Sequence, residues 1–332
     1  MTMLLKLYFA SVARAIVFGT LTGSAAIASA QTDFPQRPIR VIVAYSPGAG
    51  VDLMARVVAQ KLTDVFGHQV VVENRAGANG LVGAQAVARS APDGYTMLVI
   101  DRGALTINPI LHKAPPYDPL KDFAYTGVMT ELRYVLAISA KVPATTFQEF
   151  VQLAKAKAGA LNYASVGSGS IIHLNFEQLN AQFGMKLTHV PYKGSNAASA
   201  AVIAGESSIM MSSWTAVAGL VRDGRLRALA YGSQHRSPRF PDVPTVIEAG
   251  GTIDTVTPGY FTFALPVGTP EPVLARLIKE LASAVQLPDV GERLANAGLD
   301  PIVTTPAAFV ESVRTDIARF GKLVKTLGVE AQ

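Results

Sequence analysis

The sequence predicts an α/β protein of two units that face each other across a cleft. Three observations predict it. Short β-branched runs alternate with helix-spaced apolar patterns, and the alternation runs through the chain twice. A glycine-broken turn opens a helix in each unit. The length without an export segment, 302 residues of 332, suits two domains at ~150 residues each.

The first thirty residues read as a secretory signal peptide. Lys6 and Arg14 give a positive start, a small and apolar run follows, and Ala28-Ser29-Ala30 fits a cleavage site. The run is short and broken by Gly19, Thr20, Thr22, Gly23 and Ser24, which argues against a membrane anchor. No later stretch reaches the ~18 uninterrupted apolar residues that span a bilayer. The expected location is the periplasm, after cleavage near Ala30. Without the leader, 27 basic and 24 acidic residues leave a net charge of +3. That is too weak and scattered to argue for nucleic acid. With no cysteines, the chain has no disulfide, thiolate metal site or cysteine nucleophile.

In the first unit, residues 39–44 form a β-branched run, followed by a turn. Met54, Val57, Val58, Leu62 and Val65 then fall at helical spacing, and Gly67 ends the helix. Residues 70–72 read as a strand, 80–91 as a helix and 95–100 as a strand. In the second unit the expected strands are 135–139, 161–164, 187–190, 208–211 and 226–231. The helices between them are 145–158, 170–183, 195–204 and one ending near Asp223-Gly224. A late strand covers 260–265. Two C-terminal helices carry Thr269-Pro270 and Thr305-Pro306 as N-cap and first residue. Phe309, Val313, Ile317, Phe320, Val324 and Leu327 form an apolar stripe on the last one. The economical arrangement puts residues 31–134 and 261–332 in lobe one and 135–260 in lobe two. The chain crosses near 133–136 and 259–262, and the tail returns to lobe one.

Ligands of open α/β sheets bind beyond the carboxyl ends of the strands. There the glycine turns stand: Ser46-Pro47-Gly48-Ala49-Gly50, with Asp52 after it, and Ser165-Val166-Gly167-Ser168-Gly169-Ser170. The first is not a dinucleotide fingerprint, because Leu53 stands where G-x-G-x-x-G needs its third glycine. No Walker lysine follows either turn. Helix starts with free N–H groups favour a small anion such as a carboxylate. Ordinary strand–helix turns also use glycine for positive φ, and spacing alone leaves both readings open. The serine elbow G-x-S-x-G is absent. Of His68, His112, His173, His189 and His235, none makes an H-E-x-x-H pair. His173, in the first turn of its helix, either lines a site or makes a structural hydrogen bond. No enzyme, cofactor or metal site is expected.

Taken together, the segments FPQRPIRVIVAYSPGAGVD, VVVENRAGANGLVGAQAVARSAPDGYTML, INPILHKAPPYDPLKDF, LNYASVGSGSIIHL, HVPYKG, GRLRALAYGSQHRSPRFPDVPTVIEAG, LPVGTP and AGLDPIVTTPAAF resemble the periplasmic solute-binding proteins of the tripartite tricarboxylate transporter family, the Bug-type receptors. The resemblance runs over nearly all the mature chain. It implies a two-lobed type II periplasmic-binding fold that closes over a small carboxylated solute. It also implies delivery of that solute to a membrane permease encoded separately. The family typically holds one carboxylate between the two glycine turns. Carried over, the first turn supplies Ser46, Pro47, Gly48, Ala49, Gly50 and Asp52. The second supplies Ser165, Gly167, Ser168, Gly169 and Ser170, with His173 close by.

Departures from the family pattern shape the expected solute. Asp101-Arg102 replaces a usual pair of small residues after the third strand. Arg102 then either forks onto a second carboxylate or pairs with Asp101 at the surface. Arg133 is a weaker candidate of the same kind. After the strand at 208–211 the sequence reads Ser212-Ser213-Trp214, where amino-acid binders often carry an Asp. That argues against an amine on the solute. Trp214, Tyr45, Tyr192 and Tyr260 offer material for an aromatic wall. The expected solute is an organic mono- or dicarboxylate without an amine, aromatic if that wall forms. A sensory receptor of the same shape, or a secreted α/β hydrolase, are the alternatives. Nothing in the sequence argues for an oligomer, so a monomer is expected.

Overall fold

The computed structural model describes residues 34–327 apart from 49, 193, 253 and 254. The expected signal peptide and Ala49 lie outside the described residues. In chain order, the first sheet begins with β1 (Ile39–Val43), α1 (Gly50–Phe66), β2 (Val70–Asn74), α2 (Leu81–Ala88) and β3 (Thr96–Asp101). Two short helices, α3 (Arg102–Thr106) and α4 (Asn108–Leu111), precede β4 (Phe123–Leu132). The second sheet takes β5 (Val135–Ser139), α5 (Phe147–Ala156), β6 (Asn162–Ser165), α6 (Ile171–Phe183) and β7 (Thr188–Pro191). It continues with α7 (Ser195–Ala204), β8 (Ile209–Ser212), α8 (Trp214–Arg222) and β9 (Leu226–Tyr231). The chain then returns as β10 (Gly259–Pro266), α9 (Glu271–Gln286), α10 (Pro288–Asn296), β11 (Asp300–Pro301) and α11 (Pro306–Leu327).

The first sheet has the order β11-β4-β10-β3-β1-β2 and the second β7-β6-β8-β5-β9. β1 lies parallel to β2 and β3, whereas β10 runs antiparallel to β3 and β4. In the second sheet β6 is parallel to β7 and β8, and β5 is antiparallel to β8 and β9. The chain passes between the sheets through Arg133-Tyr134, and again through the long segment between β9 and β10. Counted outward from those crossings, β1 and β6 hold the same rank in their sheets, as do β3 and β8. The two glycine turns, which follow β1 and β6, therefore hold corresponding positions in their sheets.

Alternation along β1 explains why the first sheet is covered on both faces. Ile39, Val41 and Val43 pack with α1, α9 and α10. Ile42 points the other way, toward α2, α3 and α11. The 22-residue α11 was expected to return to the first lobe. It does more than that, because one apolar stripe serves two cores. Phe309 and Val313 pack on the first sheet, while Phe320 and Val324 join the core of α5 and α6.

Other elements differ from the sequence expectation. The ten-residue β4 was not anticipated, since Gly127 interrupts its run of strand-favouring residues. Gly127 nevertheless sits there because a Cβ would lie 2.1 Å from the Thr304 carbonyl oxygen. Thr269 does not cap α9. Its hydroxyl donates to the Pro266 carbonyl at 2.8 Å, and Pro270 takes the cap position. Thr305 does cap α11, accepting from the Ala308 N–H at 3.2 Å. Val65, counted into the buried stripe of α1, is 54% exposed.

Candidate functional site

The first turn is built by a carboxylate that faces inward. Asp52, on the first turn of α1, accepts from the Gly48 N–H at 3.0 Å, from Asn74 Nδ2 at 2.8 Å and from Arg56 Nε at 3.0 Å. Burial opposes its charged form, but the Arg56, Gly48 and Asn74 hydrogen bonds outweigh that and hold the carboxyl below its ordinary range. Asp52 was expected among the solute contacts. The structure ties its carboxylate to the Gly48 N–H and pairs its charge with Arg56 at 3.0 Å. Gly48 adopts φ +81°, and Ser46, Pro47, Gly48 and Gly50 are exposed. The leading N–H groups of α1 have no intrahelical acceptor and end at this turn.

Tyr45 precedes the turn and stays with the protein. Its hydroxyl donates to Asp101 Oδ1 at 2.7 Å, and burial with the nearby Asp101 charge pushes the phenol well up. Asp101 also caps α3, accepting from the Ala104 N–H at 2.8 Å. Arg102 therefore does not pair with Asp101. Its Nε lies 3.5 Å from Asp316 on α11, and its guanidinium carbon sits 4.5 Å over the Tyr260 ring.

The second turn rests on a stacked histidine pair, His173 buried and His189 half-buried. Ser170 caps α6, accepting from the His173 N–H at 3.2 Å and donating to the Gly167 carbonyl at 2.7 Å. His173 Nδ1 accepts from the Gly169 N–H at 3.1 Å. Its ring stacks on His189 at 4.0 Å and 9°. His189 Nε2 is 2.6 Å from Ser165 Oγ, which in turn accepts from the Gly167 N–H at 3.1 Å. Burial lowers both histidines. For His189 the His173 neighbour adds to burial and takes the value to about 4. Ser165, Ser170 and His173 are thus structural supports beneath the turn, and Ser168 is its exposed member. Among the described residues the Ser168 N–H has no protein acceptor. The sequence reading left His189 without a role. Its register opposite Tyr163 on β6 places it under the turn, and no local pattern marks that.

The residues of the expected aromatic wall have partners within the protein. Trp214 stacks on Phe240 of its own lobe at 4.0 Å and 23°. The Tyr192 hydroxyl pairs with Ser207, before β8, at 3.0 Å. Tyr260 lies beneath Arg102 and against Phe309. Ser212, at the end of β8, is buried and pairs with Val135.

The lobes touch on both flanks of the turns. A Cβ on Gly169 would lie 2.6 Å from Leu111, and one on Gly298 would lie 2.8 Å from Thr215 Oγ1. Arg133 pairs with Glu131 at 2.9 Å and donates to Ser233 at 3.1 Å, pinning one crossing to the other.

The chain matches the family model described as "Tripartite tricarboxylate transporter family receptor" over residues 54–329. Protein BugT of Bordetella pertussis is 34% identical over 315 residues, covering 95% of this chain and 96% of that protein. Among solved structures, periplasmic binding protein BugD aligns with a TM-score of 0.81 and 30% identity, over 90% of this chain and all of that one. The R. palustris protein Rpa4515, solved with adipate, aligns with a TM-score of 0.82 and 28% identity, over 89% of this chain and 98% of that one.

Proposed function

The chain belongs to the tripartite tricarboxylate transporter receptor family, a family of periplasmic solute-binding receptors and not of enzymes, and from that premise we propose that it captures a small organic carboxylate between its two glycine turns and delivers it to a membrane permease. One observation carries the reading: each lobe offers a helix start behind an exposed glycine turn, at the same rank of its sheet. A carboxylate bridging both turns accepts from N–H groups on each side. Closure follows, because only contacts made to both lobes favour the closed state. On this reading the direct contacts come from Ser46 to Gly50 and Gly167 to Ser168. Asp52, Ser165, Ser170 and His173 hold those amides in place.

The solute carries no amine at the end of β8, where Ser212 and Ser213 supply no carboxylate to bind one. Tyr192 and Trp214 are taken up by protein partners, which withdraws support from an aromatic preference. Adipate bound to a similar protein supports a flexible acid. Export through a signal peptide cut near Ala30, and action as a monomer, complete the proposal.

A thermal-shift screen of ligand-stripped mature protein tests it. The panel holds aliphatic di- and tricarboxylates, benzoates, phthalates, nicotinate and amino acids. A solute at a hundred times its Kd stabilises by about 2.7 kcal/mol, a Tm rise of about 5 °C. Ser168→Pro removes the exposed turn donor and abolishes the shift in a folded protein. Silence across the panel, or an unchanged shift in Ser168→Pro, overturns the carboxylate assignment. Tight binding of aspartate or glutamate alone overturns the exclusion of an amine.

A further inference from the structure

A cavity of about 590 Å³ opens where the two crossings meet the C-terminal helix. Its walls include Arg102, Glu131, Arg133, Thr257, Asp316 and Arg319, and no residue of either glycine turn. Among the described residues, four buried side-chain atoms lack a hydrogen-bond partner: Arg102 Nε, Thr257 Oγ1, Tyr260 Oη and Asp316 Oδ2. Three belong to the walls of this one cavity, and the fourth lies directly beneath Arg102. Arg102 Nε and Asp316 Oδ2 face each other at 3.5 Å as an ion pair, so the buried Thr257 and Tyr260 hydroxyls, each costing about 1–3 kcal/mol without a partner, are the groups that a polar guest completes.

The unpartnered atoms are well fixed. Thr257 is 3% exposed, Tyr260 2% and Asp316 7%. Asn175 on α6 clamps the Thr257 backbone from both sides, donating to its carbonyl at 2.9 Å and accepting from its N–H at 3.1 Å. The Arg102–Asp316 approach of 3.5 Å is an ion pair that closes no hydrogen bond. Arg319 also reaches Asp316, at 3.3 Å.

The chemistry of the set selects the guest. Arg102 Nε donates, and the two hydroxyls can donate. Asp316 Oδ2 alone must accept. Arg102, Arg133 and Arg319 face Glu131, Asp316 and Asp300, which lies 3.9 Å from Arg133, so the charges balance and the donors rather than net charge select the guest. We propose that this junction cavity is an anion-binding site that takes a small oxyanion, a carboxylate foremost, against Arg102, Thr257 and Tyr260, with a water or a hydroxyl of the guest donating to Asp316. The oxyanion has two sources: the far end of the solute whose first carboxylate sits in the turns, or a free ion. Only the first source rests on the proposed function. Sequence adjacency links the two places, since Arg102 follows Asp101, whose carboxylate accepts from Tyr45 beside the first turn.

Thr257→Val tests both sources, since it removes one hydroxyl at nearly constant volume and leaves the turns alone. In one arm, stripped protein without solute is titrated with formate and with nitrate, read by Tm. In the other, matched acids are compared by calorimetry: butyrate with succinate, and hexanoate with adipate. A free-ion site gives a saturable Tm rise that Thr257→Val weakens about tenfold in ion concentration. A solute-end site gives diacids bound at least tenfold tighter than their monoacids, an advantage that Thr257→Val erases while monoacid affinity holds. Arg102→Gln repeats the loss in either case. No ion response and no diacid advantage, or an unchanged Thr257→Val in both arms, overturns the proposal. Failure of the turn reading is distinct: monoacids and diacids then both fail to bind, and the formate and nitrate arm alone decides the cavity.

Discussion

Lowering the pH from 7.5 to 4.5 protonates histidines in the unfolded chain, while the stacked pair under the second glycine turn resists the charge. Both are neutral in the folded state, because His173 Nδ1 must accept from the Gly169 N–H and the rings stack at 4.0 Å. The charged and titratable groups facing them are few. Glu177 favours a charge on His189 but is held by the Tyr163 hydroxyl, and burial with the His173 neighbour outweighs it. His189 titrates at about 4 when folded, against ~6.5 for a free histidine. Between those values the unfolded chain binds the extra proton, so stability rises with pH. The contribution is complete above about pH 6.5 and drains as pH falls toward 4. Two and a half pH units at about 1.36 kcal/mol each bound the effect near 3.4 kcal/mol. Solvent around a half-buried ring reduces it to about 1–2 kcal/mol. The assay is urea unfolding followed by Trp214, the only tryptophan, at pH 7.5, 6.5, 5.5 and 4.5 in wild type and His189→Gln. Wild type loses more stability than the variant between pH 6.5 and 4.5. Parallel losses in the two proteins, or a wild type that gains stability on acidification, refute the argument.

Two other perturbations follow from the same geometry. Asp52→Ala leaves the Gly48 N–H, Asn74 and Arg56 without their shared acceptor. It costs about 1–3 kcal/mol in urea unfolding and weakens solute binding at least tenfold, because the first turn loses its clasp. Phe320→Ala empties a position only 1% exposed in the second core and costs about 3–5 kcal/mol. Since α11 joins the two cores, calorimetry of that variant resolves two transitions where wild type gives one.

What the sequence makes legible here is local chemistry. Thr305 as a helix cap, Gly67 as a helix stop and the two glycine turns all depend on neighbours within a few residues, and each stands where the pattern puts it. What it hides is set by distant partners. Arg102 was expected to face a solute or Asp101. Its direction is decided by Asp316 and Tyr260, far along the chain. Trp214 turns toward Phe240, so a residue suited to a ligand wall became packing. His189 and Ser165 meet only because β6 and β7 pair in that register. The strand β4 escaped because its glycine answers a close approach by Thr304, a tertiary demand with no local signature.

The most direct test of the central claim is a crystal structure of the protein with the acid that gives the largest thermal shift. The account predicts one ligand carboxylate between the turns, its oxygens accepting from the N–H groups of Gly50 and Val51 on one lobe and of Ser168 on the other, directly or through single waters. A ligand held by one lobe alone, or a carboxylate seated away from both turns, would contradict it.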